Sequence, residues 1–283
     1  MNKAAPAMSG TLLRTLGHRA AILLYVVFAL FPLYWLVKIA VTPDKLLYSE
    51  GVRLWPSATT WANFDFVLLK SDFPAFFSNS MMVSFGTAFM VTLIASGAGY
   101  AFSRFRFGGK AVVVAIMLLT QMFPLVMLIA PIYRLMTPLG LTDSLTGLII
   151  VYTAFNVPFA TFLMQSFFDG IPKELEESAM IDGCTRFAAL WRVIFPLTLP
   201  GMAATLGFVF TAAWSELLFA LMLINSEEKM TFAVGLLTFV SKFSVDWGQM
   251  MAAAVLALIP ACLFFGFIQR YLVQGLTAGA VKG

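Results

Sequence analysis

The chain has 283 residues, of which 60% are hydrophobic, 15% aromatic and 11% charged, with a formal net charge of +4. A soluble domain carries about 25% charged residues, so this chain has too little charge to cover a water-facing surface and too much apolar content to stay disordered. Its basic excess forms no Lys/Arg cluster of the kind that binds nucleic acid, and the solvent that fits the composition is a lipid bilayer.

Uncharged runs then place six predicted transmembrane helices in an all-α membrane protein, each longer than the ~18 residues a span requires. Residues 1–19 read as a cytoplasmic tail bearing Lys3, Arg14 and Arg19, and the first helix follows at about 20–41. Its apolar run exceeds a secretory h-region of about 7–15 residues and lacks an A-x-A site, which makes it a retained signal-anchor. The outer loop 42–77 carries Trp55-Pro56-Ser57 and Trp61-Ala62-Asn63 and reads as a cap with Trp at interface depth. Helices two, three and four follow at about 79–102, 111–133 and 144–168. The fifth is expected at about 200–224, because Pro196 and Pro200 disfavour helix before it, and the sixth at about 247–269. The membrane domain therefore runs over 20–283, with one long connection at 169–199.

Basic residues set the orientation. Lys3, Arg14, Arg19, Arg104, Arg106, Lys110, Lys173, Arg186, Arg192, Arg270 and Lys282 fall on one side. Lys45, Arg53, Lys70, Arg134, Lys229 and Lys242 fall on the other. The first side, with both termini, is the cytoplasmic one.

The 169–199 connection has a helical grammar of its own. Pro172 suits a first helical turn, and Glu174, Glu176 and Glu177 follow where negative charge complements the helix dipole. Asp182-Gly183 supplies a stop, and Thr185 can cap a second helix in which Phe187, Leu190, Trp191 and Ile194 form one apolar stripe that Pro196 ends. Two readings are open: an amphipathic hairpin on the inner lipid surface, or a helix seated in a partner protein. Five acids against one base over 169–182 favour the partner, since anionic lipid repels that charge.

Glu177-Ser178-Ala179-Met180-Ile181-Asp182-Gly183, followed by Phe187, Ile194, Pro196, Leu197 and Pro200, resembles the EAA loop of ABC importer permeases. Ser178 and Cys184 depart from the family's usual Ala but are also small. Trp214-Ser215-Glu216 is similar to the Trp-Asn-Glu of the carbohydrate-uptake subgroup, and the ending from Gln269 to Gly283 resembles that of the second, maltose-type permease subunit. The resemblance implies a type I importer permease fold with a coupling helix, in the bacterial inner membrane. It implies a heterodimer with a second permease, two ATP-binding subunits below and an extracytoplasmic solute-binding protein outside. It assigns ATPase coupling to Glu177, Ser178, Ala179, Asp182, Gly183 and Phe187, and a C-terminal ATPase contact to Gly275, Leu276, Thr277 and Gly279. It also implies carbohydrate or a sugar derivative as the solute.

No G-x-x-x-x-G-K-[ST] is present; Gly108-Gly109-Lys110-Ala111 lacks the first Gly spacing and the Ser/Thr. The chain is therefore expected to be non-catalytic and to bind no cofactor or metal, with ATP and Mg used by partner subunits. Glu216 is the one acid well inside a predicted span, where an acid costs about 2.5–3.5 kcal/mol at the bilayer centre. It either lines the translocation path, with Asn156 as a second candidate, or makes a hydrogen-bonded link between helices. Gln121 and Gln165 read as helix-packing groups, and Pro124, Pro158 and Pro260 as kinks. An ion-coupled secondary transporter is the alternative, but it calls for several intramembrane ionisable residues and an internal repeat. A membrane-embedded enzyme calls for clustered His, Asp or Cys, against one His and two distant Cys here.

Overall fold

The computed structural model describes residues 8–280, with side chains described for 14–269. Thirteen α-helices occur among them: α1 Met8–Ala40, α2 Asp44–Ser49, α3 Ala62–Leu69, α4 Phe73–Arg104, α5 Lys110–Met122, α6 Leu125–Met136, α7 Leu145–Asp169, α8 Glu174–Ile181, α9 Arg186–Ala189, α10 Phe195–Trp214, α11 Leu218–Leu223, α12 Phe232–Gly235 and α13 Trp247–Ala280. A π-turn, Leu190–Ile194, joins α9 to α10. Among the described residues, five stretches are long and apolar enough to cross a membrane, and α5 with α6, bent by 105° at their junction, pass the same test as a pair.

The second helix starts earlier than expected, at Phe73, and the sixth runs on to Ala280; three further bounds change, each for a local reason. The first helix begins at Met8 rather than near residue 20, because Arg14, His18 and Arg19 mark where a helix leaves lipid and do not interrupt its hydrogen bonds. The third predicted span is two helices: Phe123 and Pro124 are extended, with Pro124 capping α6, and a Pro in mid-helix removes one ladder bond and clashes with the preceding turn. The fifth starts earlier and stops sooner than 200–224, running from Arg186 through Trp214. Pro196 does not end the loop helix but sits in the first turn of α10, where its missing N–H leaves no gap. The wider π-turn before it, closed by the Phe195 N–H on the Leu190 carbonyl, absorbs the change of register. That turn also splits the expected apolar stripe: Ile194 is buried, whereas Phe187 and Trp191 are exposed.

The chain forms two compact units. In the first, built from the residues up to Ser71 and from Phe239–Leu256, Asn63 is the fastener. Its Nδ2 donates to the Ala40 carbonyl at 2.9 Å and to that of Thr42 at 3.3 Å, closing the end of α1 onto α3. Tyr48 donates to the Val245 carbonyl at 2.9 Å. Asp44 lies close to the Gly248 backbone, and burial, with the Asp246 charge second, holds its carboxyl above the usual range. Residues 14–33 of α1 are exposed all round, as an apolar helix facing lipid or other membrane helices is.

The second unit, Asp72–Thr238 with Ala257 onward, is a bundle centred on α4, which packs on α7 and α10. Small residues let the backbones approach, the usual device where lipid tails compete for apolar side chains. A Cβ at Gly99 would stand 2.8 Å from the Gln165 nitrogen and from the Met164 Cβ of α7. Val83, Met136, Leu148, Val151, Phe219 and Leu223 belong to one core cluster. Trp214 stacks on Phe210 at 5.6 Å, and its Nε1 donates to the Ala257 carbonyl at 3.1 Å.

Candidate functional site

Two places in the second unit gather the residues that the sequence singles out. The first is the 169–199 loop. Helix α8 ends at Gly183, whose φ of +91° suits a residue without Cβ. The Gly183 N–H bonds the Met180 carbonyl and the Cys184 N–H that of Ala179, a Schellman closure that satisfies the last carbonyls of the helix. Thr185 then caps α9 by accepting from the Ala188 N–H at 3.2 Å. The loop is thus two short helices with a fixed angle between them.

This closure sorts the side chains. Glu177, Ser178, Asp182 and Gly183 are exposed, as are Ile181 (86%) and Phe187 (70%), while Ala179 is buried. Trp191 lies 6.1 Å from Phe187 and 4.5 Å from Phe195, forming an open aromatic row. The result is an acidic and apolar surface on a rigid hairpin.

Glu176 is the residue that sequence reasoning passes over. It reads as one of three acids in a first turn, yet it is only 5% exposed. Tyr100 donates its hydroxyl to Oε1 at 2.6 Å, Arg104 Nε lies 3.3 Å from Oε2, and Arg186 Nε lies 3.8 Å from Oε1. Arg104 also donates to the Ile171 carbonyl at 2.9 Å, and Ser103 donates to Asp169 at 2.6 Å. The available signal is Tyr100 and Arg104, one helical turn apart at the end of α4, on the side of the membrane that the loop occupies.

The second place is a cavity of about 290 Å³ where the break between α5 and α6 meets α7 and the end of α10. Thr120, Gln121, Tyr152, Asn156 and Glu216 supply its polar lining, with Phe123, Phe155 and Phe219 among its apolar walls. Both path candidates therefore share one cavity. Glu216 is also a structural link: it accepts from Tyr152 at 2.5 Å and from the N–H groups of Phe219 and Ala220 at 3.1–3.3 Å. Those backbone donors are the unsatisfied start of α11, so the carboxylate caps the helix created by the break at Ser215. Asn156 donates to the Tyr152 carbonyl one turn back at 2.8 Å, and Gln121 to the Phe155 carbonyl at 3.2 Å. Gln165 is not in the cavity and meets Asp169 at 3.4 Å.

At the far end of α7, Asp143 clamps a second loop. Its carboxylate accepts from the Ser226 hydroxyl at 2.5 Å, from the Asn225 and Ser226 N–H groups at 3.0 and 2.9 Å, and from Lys229 at 3.0 Å. These donors, the Ser226 hydroxyl foremost, hold the Asp143 carboxyl well below the usual range. Gly275, Leu276, Thr277 and Gly279 lie outside the residues whose side chains are described. No group of three or more His, Cys, Asp or Glu is placed to hold a metal among the described residues.

The family model described as the binding-protein-dependent transport system inner membrane component matches residues 92–278, which takes in both places. The chain is 36% identical over 253 residues to the diacetylchitobiose uptake system permease protein DasC of Streptomyces coelicolor, covering 89% of this chain and 92% of that protein. It is 34% identical over 254 residues to the sulfoquinovosyl glycerol transport system permease protein SmoH of Agrobacterium fabrum, covering 90% and 89%. Its fold is similar to a chain of a bacterial ABC transporter involved in the import of the acidic polysaccharide alginate, with a TM-score of 0.77 and 24% identity over 96% of this chain and 99% of that one. Broken helices around a polar cavity and a rigid loop between long apolar helices suit a permease whose ATP is hydrolysed by a partner. The chain belongs to the inner membrane components of binding-protein-dependent transport systems, multi-pass permeases that work in ABC importer complexes with ATPase and binding-protein partners.

Proposed function

We propose that the chain is one of two different permease subunits that together enclose the import path for a carbohydrate or sugar derivative, with two ATP-binding subunits on the cytoplasmic side. Sugar as the solute class rests on the relatives, whose names give diacetylchitobiose and sulfoquinovosyl glycerol as theirs. Both termini lie in the cytoplasm, as the distribution of Lys and Arg along the sequence argues. The 169–199 loop then faces the ATPase, and Glu177, Ser178, Asp182, Gly183 and Phe187 form the docking surface while Ala179 anchors it from below. Gly275, Leu276, Thr277 and Gly279 make a second contact with the same partner.

The observation that carries this reading is the exposure of Ile181 and Phe187 beside Glu177 and Asp182 on a doubly capped hairpin. An apolar surface held open by a rigid turn fits a protein groove better than it fits water. Closing the ATPase pair displaces the hairpin, and α7 and α10, which flank it in the chain, move the walls of the cavity that holds Asn156 and Glu216. The broken span beside that cavity is the arrangement that membrane transporters use to expose polar groups at depth.

Co-purification of the assembled transporter tests the docking surface. Glu177→Lys reverses the charge at its centre and should lower ATPase recovery on the permease at least tenfold, with the membrane spans still inserted. Gly183→Pro, which cannot adopt the required φ, should do the same. Full ATPase recovery and full uptake with both variants would contradict the docking role.

A further inference from the structure

Helix α4 has no covalent connection to the 169–199 loop near in sequence, yet the loop is bolted to its end. Glu176 comes from α8, Tyr100 and Arg104 from the last turn of α4, and Arg186 from the first turn of α9. The Glu176 and Arg104 side chains are 7% and 5% exposed, so this pair is shielded from the water and salt that weaken surface ion pairs. The Tyr100 ring sits edge-on to Phe168 at 5.6 Å and to Phe105 at 5.9 Å, and the Arg186 guanidinium lies 5.3 Å above the Phe105 ring. Arg104 and Ser103 add bonds to Ile171 and Asp169, on either side of the junction where α7 becomes the loop. One buried carboxylate therefore joins α8, α9 and α4, and α4 is the helix on which both α7 and α10 pack.

We infer that Glu176, gripped by Tyr100, Arg104 and Arg186, is a positioning residue that ties the loop to α4, so that a push on the loop moves the centre of the bundle. This rests on the loop's docking to the ATPase. Without the tie, the loop keeps its chain connections and the Arg104 and Ser103 bonds at its start, but α8 and α9 lose their hold on α4 and can rock when the ATPase closes. A loop that rocks allows ATP hydrolysis with less displacement of the cavity walls. Glu176 faces inward, so the tie is separable from the docking surface, on which Glu177 lies.

The test uses the complete transporter in proteoliposomes, measuring solute imported per ATP hydrolysed together with ATPase recovery on the permease. Glu176→Gln keeps an acceptor for Tyr100 and removes the charge that Arg104 faces; it should retain the ATPase and lower solute per ATP at least fivefold. Tyr100→Phe removes one hydroxyl and keeps the ring contacts; it should lower the same ratio about two- to threefold. A role confined to folding would reduce the amount of complex and leave the ratio unmoved. A wild-type ratio in Glu176→Gln would overturn the inference, and if that variant does not assemble, a wild-type ratio in Tyr100→Phe would do so. Failure of the docking reading has a different signature, since Glu177→Lys would then retain both ATPase and uptake.

Discussion

Glu176 and Glu216 are both carboxylates taken largely out of water, and their partners differ in a way that separates their roles. Glu176 faces cationic side chains, Arg104 and Arg186. Glu216 faces Tyr152 and the backbone start of α11, with one edge open to the cavity. A hydrogen bond to a charged group contributes about 1.5–3 kcal/mol, so Tyr152→Phe should lower unfolding stability in detergent by that amount. An unchanged denaturation midpoint would remove Tyr152 from the support of Glu216. The position of Glu216 is legible in the sequence because one acid in an apolar span stands out; its helix-capping role is not, since the break at Ser215 cannot be read from Trp214-Ser215-Glu216. Glu176 is hidden for the opposite reason. It stands among acids, and only the fold brings Arg104 to it across a long stretch of chain.

The elements show the same division between charge and hydrogen-bond geometry. Each helix long and apolar enough to cross a membrane, and the bent α5–α6 pair, overlaps an uncharged run, because the bilayer excludes charge over its ~30 Å core. The runs do not locate helix ends: α1 continues through Arg14 and Arg19, and α4 through Arg104. Pro124 breaks a helix where a kink is expected, while Pro196 is accommodated where a stop is expected, because a π-turn precedes it. The stop at Gly183 and the cap at Thr185 are legible, since both are short-range rules satisfied within a few residues. The Asp143 clamp is a long-range device and carries a pH signature. Its carboxyl titrates below the unfolded value of about 3.9, so its contribution is complete above that value and is lost as pH falls through the depressed one. Amide protection at Asn225 and Ser226 should persist at about pH 4 and fall only in stronger acid. Asp143→Asn should weaken it at neutral pH. Loss of protection in step with ordinary carboxylate titration would exclude the clamp.

For the whole molecule, the low charge content seen at the outset becomes informative through its placement. Acids cluster on the 169–199 hairpin, one acid shares a cavity with Asn156 beside a broken span, and a third group of charges fastens the loop after α11. As an inner membrane component of a binding-protein-dependent transport system, the chain works with an ATPase partner that supplies the driving free energy. The most direct test is uptake into proteoliposomes holding this chain and its partner permease, with ATPase subunits and binding protein added separately and a panel of sugars offered. Uptake of a sugar that requires ATP, the ATPase and the binding protein together, and that persists when ion gradients are collapsed, is the predicted result. Uptake by the permeases alone, driven by a proton or sodium gradient and indifferent to ATP, would contradict it.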